Sequence, residues 1–239
     1  MRKVIAWIIA LIIIALIILY AYWLTVPGKL SKALSEETKV TVTVAGLHMN
    51  LNTLIVNEVK IGNTPGSILP TALEINKITS QTPVIRYVYQ NPLVIEELTL
   101  DDIYVGLEFD SPKGSDGNWT RIVSNMQKSR EAHKAADPKN QKERVVKINK
   151  VVLKDIRIEM VFRTGDQRVR RLPPIKQIEF YDLSTEGDSI SRALMDSIIV
   201  QMLEQIFLKE NIKNMLKSVI NLPAGTVNKV LSPFEGIFP

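Results

Sequence analysis

The apolar residues of this chain follow three different rhythms. From Val4 to Leu24 they are continuous, twenty-one uncharged residues directly behind Arg2 and Lys3. At about 1.5 Å per helical residue the run reaches roughly 31 Å, enough for a bilayer hydrocarbon core, so an N-terminal transmembrane helix is predicted over residues 1–27. Tyr20, Tyr22 and Trp23 stand where a cleavage site needs small residues, and Pro27-Gly28 is predicted to break the helix on leaving the membrane. From Lys39 to Phe109 the rhythm changes to every second position, in residues that are often β-branched or aromatic. Val40, Val42 and Val44 share one face, as do Val59 with Ile61, Leu73 with Ile75, and Ile103, Val105, Leu107 and Phe109. These are half-buried strands, separated by turn chemistry such as Asn63-Thr64-Pro65-Gly66 and Ser111-Pro112-Lys113-Gly114. From about Asp188 to Asn221 the period becomes helical through Ile190, Leu194, Ile198, Met202, Ile206 and Phe207, predicting a long amphipathic helix.

The chain also repeats itself at an interval of fifty-three residues. The segment Ile95 to Phe109 lies over Ile148 to Phe162, and in both copies the alternation changes phase at an aspartate, Asp102 or Asp155. A one-residue phase change turns the apolar face to solvent unless the backbone bulges there, so both aspartates are expected to be bend residues rather than acids of a catalytic site. A fainter echo pairs Ile75-Asn76-Lys77-Ile78 with Ile175-Lys176-Gln177-Ile178. Between the main copies, Asn118 is placed to cap a helix through Trp119, Ile122, Val123 and Met126. Residues 127–144 are polar without apolar period and are read as a connecting segment, so 118–144 forms a helical and charged insertion.

Composition narrows the chemistry. A net charge of +5 is compatible with an anionic lipid surface and equally with an ordinary solvated one. The chain has no cysteine, which removes disulfides, thiolate nucleophiles and thiolate metal ligands. His48 and His133 are its two imidazoles, and neither has a partner at ligand spacing. Adjacent carboxylates at Glu96-Glu97 and Asp101-Asp102 lie in strand segments, where neighbours point to opposite faces and cannot share a proton. No nucleophile elbow, phosphate-binding glycine loop or zinc-protease pair is present, so an enzyme is not expected and no cofactor or metal is expected. Asn118-Trp119-Thr120 matches a glycosylation sequon, a frequent chance match.

The order of these elements resembles the amino-terminal part of AsmA-like proteins, the envelope group that includes TamB-type and chorein-like lipid-transfer folds. The resemblance is carried by the apolar run ending in Leu24-Thr25-Val26-Pro27-Gly28, the strand set closing at Gly62-Asn63-Thr64-Pro65-Gly66, and Leu73 to Ile78. It continues through the Ile95 to Phe109 strand with its aspartate bend, Asn118 to Ile122, the repeat at Ile148 to Phe162, and Pro173 to Leu183. It implies an inner-membrane protein whose residues 28–239 face the periplasm, with a curled, mostly antiparallel sheet forming an open apolar trough that takes part in phospholipid traffic or outer-membrane homeostasis.

The expectation is therefore an α+β chain: an anchor over 1–27, a β-sheet domain over 28–188, and a C-terminal helix and tail over 189–239. Its trough would be lined by Val40, Val42, Val44, Val59, Ile61, Leu73, Ile75, Ile103, Val105, Leu107 and Phe109, with membrane phospholipid as the partner and no nucleic acid. The alternative is a non-enzymatic structural or assembly subunit that binds another envelope protein at a sheet edge. A lipid carrier needs apolar positions left uncovered by its own helices, whereas a scaffold needs an open edge.

Overall fold

The computed structural model describes residues 23–111, 116–136, 145–165 and 167–184, together with Met202, Leu203 and Ile206. Helix α1 occupies residues 23–38. Strands β1 (Val42–Met49), β2 (Leu54–Gly62) and β3 (Thr71–Ser80) follow as a meander, then a short helix α2 (Val84–Tyr89) and the long strand β4 (Leu93–Phe109). Helix α3 (Asn118–Ala136) leads to a second long strand, β5 (Val146–Phe162), and the described chain closes with β6 (Arg170–Arg171) and β7 (Ile175–Ser184). All seven strands form one open sheet, in the order β1-β2-β3-β4-β5, with β6 and β7 both pairing β5.

Five pairings are antiparallel and one, β4 with β5, is parallel. Parallel neighbours need a crossover, normally a helix, and α3 supplies it. The parallel register explains the sequence repeat. Each paired residue of β4 faces the residue fifty-three further along, from Leu93 with Val146 to Phe109 with Phe162. Two copies of one pattern thus lie side by side and shift phase together.

The phase shift runs across the whole sheet. The ladders skip a line from Ala45 through Glu58, Asn76, Asp102 and Asp155 to Lys176. Along it, Glu58, Asp102 and Asp155 have φ of 46°, 52° and 51°, in the left-handed region. A second, shorter line passes Glu96, Asn149 and Asp182, where Asp182 has φ 58°. Asp and Asn tolerate this conformation better than most residues. The turn it introduces lets Ile103 and Ile156 stay on the inner face after Leu100 and Leu153; all four are buried. The faint echo belongs to the same device, since Asn76 and Lys176 both sit on the first line.

One face of the sheet is apolar and is covered by the chain itself. Leu34 of α1, Trp119, Ile122 and Met126 of α3, and Met202, Leu203 and Ile206 join the strand residues in a single core. Two exchanges lock α3 onto β4. Asn118 Nδ2 and Trp119 Nε1 both donate to the Gly106 carbonyl at 2.9 Å, and Asn118 Oδ1 accepts from the backbone N–H of Glu108 at 3.0 Å. Gly106 is obligatory, because a Cβ there would stand 2.3 Å from the Thr71 carbonyl oxygen.

Several expectations are corrected. The described chain is predominantly β rather than α+β with long helices at both ends, and its sheet is open rather than curled into a trough. The reason is that α1 and α3 already cover the apolar face, so the sheet need not close around it. Among the described residues no helix is long and apolar enough to cross a membrane and no long C-terminal helix is present. Most of the predicted span at 4–24 and of the predicted helix at 189–221 lies outside the described residues. Pro27-Gly28 does not end a helix: α1 continues through both to residue 38, anchored by packing of Leu30 and Leu34 on the core. Residues 127–136, read as connector, extend α3, because helix-forming side chains such as Lys128 and Glu131 sustain it without apolar periodicity.

Candidate functional site

The eleven expected trough residues are brought together, on one face of β1 to β4 and the turn before them. None is more than 7% exposed. They are the inner layer of the core rather than the wall of a cavity. Val40 and Val42 pack beneath α1, and the row from Ile103 to Phe109 belongs to the core cluster that α3 covers.

The two edges of the sheet differ. Along β1, helix α1 runs antiparallel and occupies the outward backbone groups with its own side chains. Ser35 Oγ accepts from Val42 N–H at 2.8 Å, Ser31 Oγ accepts from Val44 N–H at 2.9 Å, and Trp23 Nε1 donates to the Leu47 carbonyl at 3.3 Å. These hydroxyls substitute for a neighbouring strand and close that edge to further pairing. At the opposite edge the ten-residue β7 pairs with β5 on one side, and no described strand pairs with its other side.

The outer face near β7 is polar and tied together. Lys150 Nζ on β5 lies 3.0 Å from Glu179 Oε1 on β7 and 3.9 Å from Glu97 Oε2 on β4. Tyr181 donates its hydroxyl to Glu179 Oε2, which, with Lys150, holds the Glu179 carboxyl below its ordinary range. The same contacts push the Tyr181 hydroxyl and the Lys150 ammonium up. Further along, the Tyr104 hydroxyl donates to Glu159 Oε2 at 3.1 Å, and partial burial together with that carboxylate pushes its pKa well above the usual phenol value. A shallow polar cleft of about 310 Å³ follows the phase-shift line, lined by Glu58, Lys60, Glu74, Asn76, Asp102 and Arg157. Four of its five charges are matched in pairs, Arg157 to Asp102 at 2.8 Å and Lys60 to Glu74 at 3.9 Å.

The far end holds a carboxylate pair two residues apart on one strand end, Glu108 and Asp110. Glu108 is sealed: its Oε2 accepts from the backbone N–H of Ile68 at 2.8 Å and of Leu69 at 3.1 Å. Arg163 stands 3.5 Å from Glu108 Oε1 and 3.6 Å from Asp110 Oδ1, and Arg121 pairs with Asp110. With two arginines on two carboxylates this group ties the loop after β2 and the turn after β5 to the end of β4. It has the make-up of a structural clamp rather than of an acid–base pair.

The adjacent carboxylates noted in the sequence are not brought into a shared site. Glu96 pairs with Arg86 at 3.7 Å while Glu97 faces Lys150, and Asp102 holds Arg157. His48 is exposed on β1, the side chain of His133 lies outside the described residues, and no group of potential metal ligands occurs among the described residues. Asn118 of the sequon is 1% exposed and fully engaged, so its amide does not face solvent.

The residues that sequence reasoning missed are Ser31, Ser35 and Glu108. Ser31 and Ser35 are four apart and so share a helix face, a signal that was visible. Glu108 stands over Val161 in the repeat, an acid opposite an apolar partner in otherwise matching copies. No protein-family profile, no curated protein and no solved structure matches this chain.

Proposed function

We propose that this chain is a non-enzymatic assembly subunit of an envelope membrane complex, of AsmA-like type, which holds a protein partner by strand addition at the β7 edge. One observation carries the reading: α1 closes the sheet at β1, whereas no described strand pairs with the outer side of β7. A ten-residue strand with no described strand on its outer side is an edge to which an extended segment of another chain can add by backbone hydrogen bonding. The lipid-carrying alternative requires apolar positions open to an acyl chain, and the eleven positions that would serve it are buried beneath the protein's own residues. Placement beside a membrane rests on the apolar run of residues 4–24.

The absence of cysteine makes the test direct. Single cysteines replacing Gln177, Glu179 or Tyr181 on β7, and Thr43 or Ala45 on β1, are introduced into the full-length protein. Their reaction with a maleimide is then compared between native membranes and the purified chain. Protection of the β7 positions in native membranes, relieved on purification, is expected, with β1 reacting alike in both. Equal reactivity of β7 in the two settings, accompanied by stoichiometric phospholipid in native mass spectrometry, would return the reading to lipid carriage.

A further inference from the structure

We propose that one end of the sheet, built from the β1–β2 turn and the α2 region, rests in the lipid interface of a bilayer. The strand directions bring these parts together. The β1–β2 turn at residues 50–53, the end of β3 at Ser80, helix α2 and the start of β4 at Leu93 all lie at one end, because β1 to β4 run alternately up and down. Helix α1 starts its described course there too, since Trp23 reaches the Leu47 carbonyl while Ser35 lies at Val42.

Most of the large exposed apolar side chains are found at this end. Leu51 is 86% exposed, Tyr89 79%, and Leu24 and Ile85 62% each, with Met49 beside them. The segments that carry these side chains are almost without charge: residues 47–55 and 81–95 together hold a single formal charge, Arg86, and Lys147 at the start of β5 lies beside Val94. The opposite end is different, for its turns carry Asp110, Arg163, Arg168, Arg170 and Arg171. A water-facing loop has no reason to avoid charge, whereas one that dips among lipid headgroups and upper acyl chains does. An open recess of about 540 Å³ beside α2, lined by Ile85, Tyr89 and Val94 among others, adds apolar surface, and Arg86 on its lip pairs with Glu96.

The choice of a bilayer over a protein occupant comes from what precedes this end. The sequence that runs into α1, Val4 to Tyr22, is apolar and uncharged, and it joins the described chain at the same end as the exposed rim. Tyr89 and Trp23 are also the aromatic types that favour the headgroup level. The rim therefore lies at the end of the sheet where a sequence of lipid-partitioning composition joins the described chain. This inference does not depend on the β7 edge, which lies along the side of the sheet.

The test uses the full-length protein reconstituted into vesicles of equimolar phosphatidylcholine and phosphatidylglycerol. Leu51→Cys and Tyr89→Cys variants, with Ile68→Cys and Val169→Cys at the other end as references, each carry an environment-sensitive fluorophore. Circular dichroism checks that each variant keeps its fold, and flotation selects vesicle-bound protein. The expected result is blue-shifted emission at 51 and 89, with several-fold stronger quenching by brominated acyl chains than at 68 and 169. Water-like emission at 51 and 89 in floated protein overturns the proposal, as does failure of the full chain to float. Shielding of both labels before vesicles are added also overturns it, by showing that a second copy covers the rim.

Discussion

At residue scale the most instructive positions are the acidic residues with positive φ. A left-handed conformation costs an ordinary L-residue roughly 1–2 kcal/mol, least for Asp and Asn and nothing steric for Gly. Asp155 has φ 51° and is exposed, so little beyond its backbone is at stake. Asp155→Val is expected to lower stability by about 1–2 kcal/mol, and Asp155→Gly to be near neutral or slightly stabilising. Urea denaturation of the two variants checks this. Equal losses would mean that the aspartate side chain, not the backbone turn, is what matters. The sequence located the turns at Asp102 and Asp155, though not those at Glu58 and Asp182, because a shift from Leu98 and Leu100 to Ile103 and Val105 leaves the apolar face inward only if the backbone adds a turn at Asp101-Asp102. Glu108 was not legible in the same way: its buried partners, the Ile68 and Leu69 amides, are forty residues away.

At element scale the guarding of β1 by α1 is the arrangement with the clearest consequence. Each hydroxyl-to-backbone bond contributes on the order of 0.5–1.5 kcal/mol, and an unsatisfied buried amide costs more. The Ser31→Ala/Ser35→Ala double variant is expected to lose about 1–3 kcal/mol and to expose the Val42 and Val44 amides to pairing with other chains. Amide hydrogen exchange at Val42 and Val44, with sedimentation to detect association, reads both effects. Unchanged protection would show that the helix backbone rather than the serines shields the edge. Alternating apolar residues made the strands legible one by one, but the partner on each side was not written in them. The parallel pairing of β4 with β5 was within reach, since two copies of one pattern at a fixed interval fit a parallel register, but the expectation of a mostly antiparallel sheet did not single it out.

At the scale of the whole molecule the decisive fact is that the apolar face is filled. Leu107 is 1% exposed and lies in the core. Leu107→Ala should therefore cost about 2–5 kcal/mol, as a cavity in a packed interior, and lower the melting temperature accordingly. A lining residue of an open trough would lose far less. Thermal denaturation of the variant separates the two cases.

The sequence alone determined the strand segments, their inward faces, the aspartate turns and the repeat, because side-chain alternation and φ preference are local properties of consecutive residues. Which surfaces remain available was decided only by tertiary structure. The same valines and isoleucines would line a trough or fill a core, depending on whether Leu34, Trp119, Ile122 and Met126 are laid over them. That covering depends on contacts between residues far apart in the chain, as does the guarding of the β1 edge by α1.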